Sequence, residues 1–159
     1  MQKNTDTRSV KSTFPRIYLL LLPVLLTVVL DEWIKSQALL QLPEESTILN
    51  PGLLEFAIHR NFGLAFDIPF RMEFVILSSL FIGFFLARIA YKNWLKLPYV
   101  TFASLMIIIG ALGNLFDRVT YGFTVDYMLF LGRSAINFSD LVIMLGVLTL
   151  LLSTTKRKH

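Results

Sequence analysis

Four aspartates of this 159-residue chain, Asp31, Asp117, Asp126 and Asp140, stand at or just beyond the ends of long apolar runs. Ionisable residues at membrane depth are costly, so their default reading is a functional site. Two carboxylates close together repel when both are ionised, and the pair then shares a proton. Such a pair holds a base to activate water and an acid to protonate a leaving amine. That is peptide-bond hydrolysis with no metal, serine or cysteine. Residue physics leaves open which pair among Asp117, Asp126 and Asp140 would perform it.

Other polar residues gather around these carboxylates. Gly110, Gly113, Asn114 and Asp117 fall at i, i+3, i+4 and i+7, one stripe of a helix. Small residues in such a stripe allow close helix packing, but packing alone needs neither an amide nor a carboxylate. Asn137 and Asp140 share a face at the start of the last apolar run. Asn137 suits an N-cap, whereas Asp140, a turn inside, is less well explained by capping. Asp31 and Lys35 have ion-pair spacing in the favourable acid-first order, which suits a structural brace. Asp117 and Arg118 are adjacent, and sequence neighbours need not face each other. The chain has no cysteine, and its histidines are His59, standing alone, and His159 in the tail. No metal site and no cofactor is expected.

The elements that must position these groups are membrane helices. The chain is 55% hydrophobic with a mean hydropathy of +0.64, against roughly 45–50% for a soluble domain. Four runs stand out: about 17–39, 74–91, 97–116 and 138–153. A helix needs about 20 mostly apolar residues to cross the hydrocarbon core, so the fourth is short. The first also admits a rival reading as a cleavable signal peptide, with a basic leader (Lys3, Arg8, Lys11, Arg16) and Ser36-Gln37-Ala38 as the cleavage site. With the N-terminus inside, ten of the fifteen basic residues and only Asp6 among the eleven acidic ones fall on the inner side, as the positive-inside rule requires. The expectation is a single integral membrane domain over 1–159. It is an all-α membrane fold of four transmembrane helices, both termini cytoplasmic, with outer loops at about 40–73 and 117–136. Alternation from Leu54 to Arg60, and the β-formers from Val119 through Met128, predict a small external sheet. Topology alone then puts all four aspartates near the outer face. No basic patch with interleaved aromatics appears, so no nucleic acid partner is expected.

The order of motifs resembles the lipoprotein signal peptidase (signal peptidase II) family over nearly the whole chain. Asp31-Glu32-Trp33-Ile34-Lys35 is similar to D-Q-x-x-K, and Asn61-Phe62-Gly63-Leu64-Ala65-Phe66 to N-x-G-A-A-F. Gly110 to Arg118 is similar to G-A-x-G-N-x-x-D-R, Val125-Asp126-Tyr127 to V-D-F, and Asn137-Phe138-Ser139-Asp140 to N-x-A-D. The resemblance implies an aspartic endopeptidase of the bacterial inner membrane, with Asp126 and Asp140 catalytic. It implies that Asn61, Gly63, Asn114, Arg118 and Asn137 form the pocket, with Asp31, Lys35 and Asp117 structural and Asp117 paired with Arg118. It also implies a mobile external loop beside the sheet, and a substrate that is a prolipoprotein carrying diacylglycerol on its lipobox cysteine, cut N-terminal to that cysteine. A monomer in contact with membrane lipid is expected. Four positions depart from the pattern: Glu32, Leu64, Tyr127 and Ser139. The Ser139 hydroxyl, next to Asp140, is expected to bear on the hydrogen bonding of the pair, and Leu64 to narrow the pocket. The rival readings are a non-enzymatic four-helix carrier or scaffold, and a lipoprotein-binding relative that does not cut.

Overall fold

The computed structural model describes residues 16–48, 52–63, 71–132 and 134–155. Leu64, the expected mobile loop around it, Asn50, and the basic residues Lys3, Arg8, Lys11 and Lys156 to Lys158 lie outside the described residues. A short 3-10 turn, Arg16–Leu20, leads into helix α1, Leu21–Gln41. Strand β1 (Leu54–Asn61) follows, then helices α2 (Met72–Asn93) and α3 (Pro98–Tyr121). Strands β2 (Thr124–Phe130) and β3 (Ser134–Ile136) come next, and helix α4 (Phe138–Thr155) ends the order.

Three helices are long and apolar enough to cross a membrane: the helix over Arg16–Gln41, α2 and α3, with hydropathies of 2.0, 2.0 and 1.8. The fourth is apolar but shorter, over Phe138–Ser153. Their outer faces carry exposed Leu22, Leu26, Phe81, Phe84, Leu148 and Leu151, a surface suited to lipid rather than water. The fold is therefore an all-α membrane fold with a small antiparallel sheet at one end.

Helix α3 is the central element and packs against the other three. Glycines set how closely α4 can approach it. A Cβ at Gly110 would lie 2.8 Å from the Ser139 carbonyl oxygen, and one at Gly146 would lie 2.7 Å from Ile107 Cγ1. This is the small-residue packing that brings membrane helices together. Helix α3 opens with Pro98 in its first turn, where a missing N–H costs nothing. It runs past Phe116 to Tyr121 and stops at Gly122, whose φ of +80° suits a residue without a Cβ. The polar residues Asp117 and Arg118 read as a span end in the sequence. They stay helical because buried partners receive their side chains.

The sheet order is β1-β2-β3, all antiparallel. β1 pairs with β2 from Leu54↔Phe130 to Asn61↔Thr124, with an irregularity between Phe56 and His59. The β-formers Val119 to Tyr121 extend α3 instead of starting the strand. Two apolar cores flank a polar layer. One holds Tyr18, Val28, Phe102, Met106 and Val142, and the other Ala38, Ile58, Val125, Tyr127 and Met128. On α1, Asp31 and Lys35 fall between Val28 and Ala38, in the layer that separates the cores.

Candidate functional site

Helix α1 places Asp31 and Lys35 one turn apart on its buried face, and both are fully buried. Lys35 Nζ lies 3.3 Å from Asp31 Oδ2, 2.9 Å from Glu32 Oε1 and 2.9 Å from Asp117 Oδ2. It also donates to Asn114 Oδ1 at 3.2 Å. The pairing expected between Asp117 and Arg118 is thus replaced by Asp117 with Lys35. Adjacent helical residues point about 100° apart, and the buried ammonium of α1 claims the carboxylate. Asp117 Oδ2 also accepts the Val125 N–H at 3.1 Å, tying α3 to β2.

Asp31 caps the start of α4. Its oxygens accept the N–H groups of Phe138 (3.1 Å) and Ser139 (3.0 Å), the Ser139 hydroxyl (2.6 Å) and the Tyr127 hydroxyl (2.7 Å). Burial and the bond to Asp31 push the Tyr127 phenol well above its usual range, so it remains a donor. The Ser139 hydroxyl, expected to bear on the Asp140 side, is turned to Asp31. Ser139 follows the first helical residue, so its side chain points about 100° away from that of Asp140.

The next N–H of α4 completes a reciprocal cap. Asn137 Oδ1 accepts the Asp140 N–H at 2.9 Å, and Asp140 Oδ2 accepts the Asn137 N–H at 3.3 Å. Asp140 therefore does take part in capping, although its place a turn inside made capping the weaker explanation. This is the capping-box geometry with aspartate at the third helical position.

The remaining Asp140 oxygen, Oδ1, accepts the Asn114 amide at 2.7 Å. Asp126, on β2, is 1% exposed. Its Oδ1 accepts the Asn137 amide at 2.7 Å and its Oδ2 the Asn61 amide at 3.1 Å. Each amide is oriented from behind. Asn114 Oδ1 faces Lys35 and Asn137 donors, and Asn61 Oδ1 accepts the Gly63 N–H at 3.0 Å. Gly63 is thereby placed beside the site, and its carbonyl accepts Arg118 at 3.3 Å. Arg118 also donates to the Asn114 carbonyl at 3.3 Å.

Asn61, Asn114, Arg118, Thr124, Asp126 and Asp140 line one cavity of about 260 Å³, with Ile143 and Met144 as apolar wall. Arg118 Nε and Thr124 Oγ1 are buried and have no hydrogen-bond partner among the described residues. Burial first, then the negative charge of Asp140, push the Asp126 carboxyl up to about 7, against the opposing pull of Asn61, His59 and Lys35. The arrangement can hold one proton between two carboxylates near neutral pH. Among the described residues, no three His, Cys, Asp or Glu side chains converge as metal ligands.

The structure brings Asp126, Asp140, Asn61, Asn114 and Arg118 together around the cavity, while Asn137, expected in the pocket, is fully buried beside it and bonds both aspartates instead of lining it. Asp31, Lys35 and Asp117 lie behind it, joined through Asn114. Three pairings escaped the sequence. His59, read as standing alone, bonds Glu45 and lies opposite Asp126. Ser139 and Tyr127 converge on Asp31 across about a hundred residues, a distance that no local pattern spans.

The fold and site together define a polytopic membrane protein with paired carboxylates in a buried cavity. The sequence model of the family described as Signal peptidase (SPase) II matches residues 23–156. The chain is 31% identical over 141 residues to the lipoprotein signal peptidase of Streptococcus thermophilus, covering 86% of this chain and 92% of that protein. The lipoprotein signal peptidase of Bartonella henselae is 33% identical over 150 residues, covering 87% and 91%. That of Caldicellulosiruptor bescii is 32% identical over 128 residues, covering 80% and 84%. A bacterial membrane enzyme solved by the in meso method shares the fold, with a TM-score of 0.74 at 24% identity over 87% of this chain and 88% of that one. The protein belongs to the signal peptidase II family and is a membrane peptidase.

Proposed function

We propose that this protein is an aspartic endopeptidase that removes the signal peptide from diacylglyceryl-modified prolipoproteins, cutting N-terminal to the lipid-bearing cysteine. Asp126 and Asp140 are the catalytic pair. The observation that carries this reading is their convergence on one cavity, bridged by the single side chain of Asn137. With one proton between them, the ionised carboxylate takes a proton from water as it attacks the scissile carbonyl. The protonated one supplies the leaving amine. Arg118 Nε and Thr124 Oγ1 are free donors for the substrate backbone at the cavity wall. Asn61, Gly63, Asn114 and Asn137 orient the carboxylates and border the pocket.

The domain is one integral membrane unit with both termini in the cytoplasm, so that the sheet and the cavity lie near the outer face of the inner membrane. There the signal helix and acyl chains of a substrate share the bilayer with α1 to α4, while the scissile bond reaches the aspartates. Helix α1 supplies Asp31 and Lys35 to the buried layer, which favours a retained helix over a cleaved leader. A transmembrane carrier would need polar groups through the membrane depth. The core of Tyr18, Val28, Phe102, Met106 and Val142 is apolar but for the Tyr18 hydroxyl, and the buried Thr101 and Ser104 of α3 spend their hydroxyls on the Ala90 and Val100 carbonyls.

A gel-shift cleavage assay on a diacylglyceryl-modified prolipoprotein tests the reading. Purified wild type should cleave, and Asp126→Asn and Asp140→Asn should not. Full activity in either variant overturns the pair, and an inert wild type returns the field to a binding or carrier role.

A further inference from the structure

His59 belongs to none of the motifs that carry the family resemblance, and the mechanism above does not use it. The register of the sheet places it directly opposite Asp126. Opposed residues of an antiparallel pair project from the same face, with Cβ atoms about 4.5–5.5 Å apart. Asn61, two residues along β1, shares that face, and its amide reaches Asp126. The His59 face of β1 is therefore turned toward the carboxylate.

A second group fixes the ring. His59 Nδ1 meets Glu45 Oε2. Glu45 opens the short 3-10 turn Glu45–Thr47, which is anchored to β1 by the Ile58 N–H donating to the Pro43 carbonyl at 2.8 Å and by the Glu44↔Ile58 bridge. A carboxylate on one ring nitrogen orients the imidazole. The ionisable groups facing His59 are Glu45 from the turn and Asp126 from β2. Arg60 is engaged elsewhere, 2.5 Å from Glu44 and over the Phe123 ring. Asp126 itself is acted on by Asp140 and Lys35 from α4 and α1 and by the Arg118 guanidinium from α3.

We propose that His59, held by Glu45, is a positioning residue that governs the charge state of Asp126 from the neighbouring strand. The inference rests on the catalytic role proposed for Asp126. A shared-proton pair works only while it carries one proton, so the field at Asp126 sets the pH window of cleavage. Burial and Asp140 move that window upward, and the His59 imidazolium moves it back. His59 thus tunes the pair without touching the substrate.

The test uses the full chain in detergent and a diacylglyceryl-modified prolipoprotein, with kcat/KM followed across pH. His59→Gln should shift the profile to higher pH by about half a unit or more. Glu45→Gln should shift it the same way by less, and His59→Lys, which keeps a cation, should return it toward wild type. Thermal midpoints establish that each variant is folded. A folded His59→Gln enzyme with an unmoved profile overturns the proposal, as does a His59→Lys profile that matches His59→Gln. An infrared titration of the protonated-carboxyl band that Asp126→Asn removes gives a readout independent of turnover. It should move to higher pH in His59→Gln. An inert wild type would defeat the proposed function, and the infrared titration would then decide the role of His59 by itself.

Discussion

Two buried carboxylate groups meet at Asn114 and are compensated in different ways. On one side, Lys35 gathers Asp31, Glu32 and Asp117, and Asp31 receives two backbone N–H groups and two hydroxyls. On the other, Asp126 and Asp140 receive amides from Asn61, Asn114 and Asn137, and open into a cavity. Each group holds fully or nearly fully buried carboxylates, Asp31 and Asp117 in one and Asp126 in the other, so burial alone does not distinguish them. The first converges on a single ammonium within bonding distance and joins four elements. The second is held by neutral donors that fix its geometry while leaving its protons exchangeable. A buried carboxylate with a direct cation is a brace, and one held by amides beside a cavity is positioned for proton transfer.

The largest expected effect separates the two groups by activity. Asp126→Asn or Asp140→Asn should lower cleavage by about 10²–10⁴-fold with little change in the thermal midpoint. Lys35→Met should do the reverse in kind. It leaves Asp31 and Asp117 buried without their cation, and the expected loss is about 3–5 kcal/mol of stability, read as a fall in the midpoint in detergent. A stable Lys35→Met protein would break the comparison at its first member.

The third prediction concerns pH. The folded Asp126 carboxyl is raised to about 7, above its unfolded value of about 3.9. The folded state therefore binds this proton more tightly than the unfolded state. Its contribution is greatest below about pH 4 and fades as pH rises to 7, by about 4 kcal/mol. Asp126→Asn should remove that decline, so the variant should gain stability over wild type above neutral pH. A parallel loss in both proteins would show that the site is not proton-coupled as described. The smallest effect is expected at Ser139→Ala, which removes one of several bonds to Asp31 at about 1 kcal/mol and should leave the pH profile of cleavage in place. A moved profile would mean that the two groups are not separate.

Much of this was legible before the structure. The apolar runs announce the four helices, since each must satisfy its own backbone bonds in lipid. The Gly110, Gly113, Asn114, Asp117 stripe announces a packed polar face. Alternation from Leu54 onward announces β1. Helix ends were less legible, because Asp117 and Arg118 resemble a terminus until Lys35 and the cavity receive them. The partner of Asp117 was misread for the same reason: adjacency in sequence is not adjacency on a helix.

The sequence by itself determined the class of protein, the level at which the carboxylates gather and, through its motifs, the family. These depend on residue type and local period, which a linear chain displays. Only the tertiary structure decided which cation neutralises which carboxylate, that Asp31 caps α4, that the Ser139 hydroxyl turns away from Asp140, and that His59 stands opposite Asp126. Those outcomes depend on strand register and helix facing between segments as much as about a hundred residues apart. A shift of one residue in register would send His59 to the other face of the sheet, and nothing local to either strand forbids it.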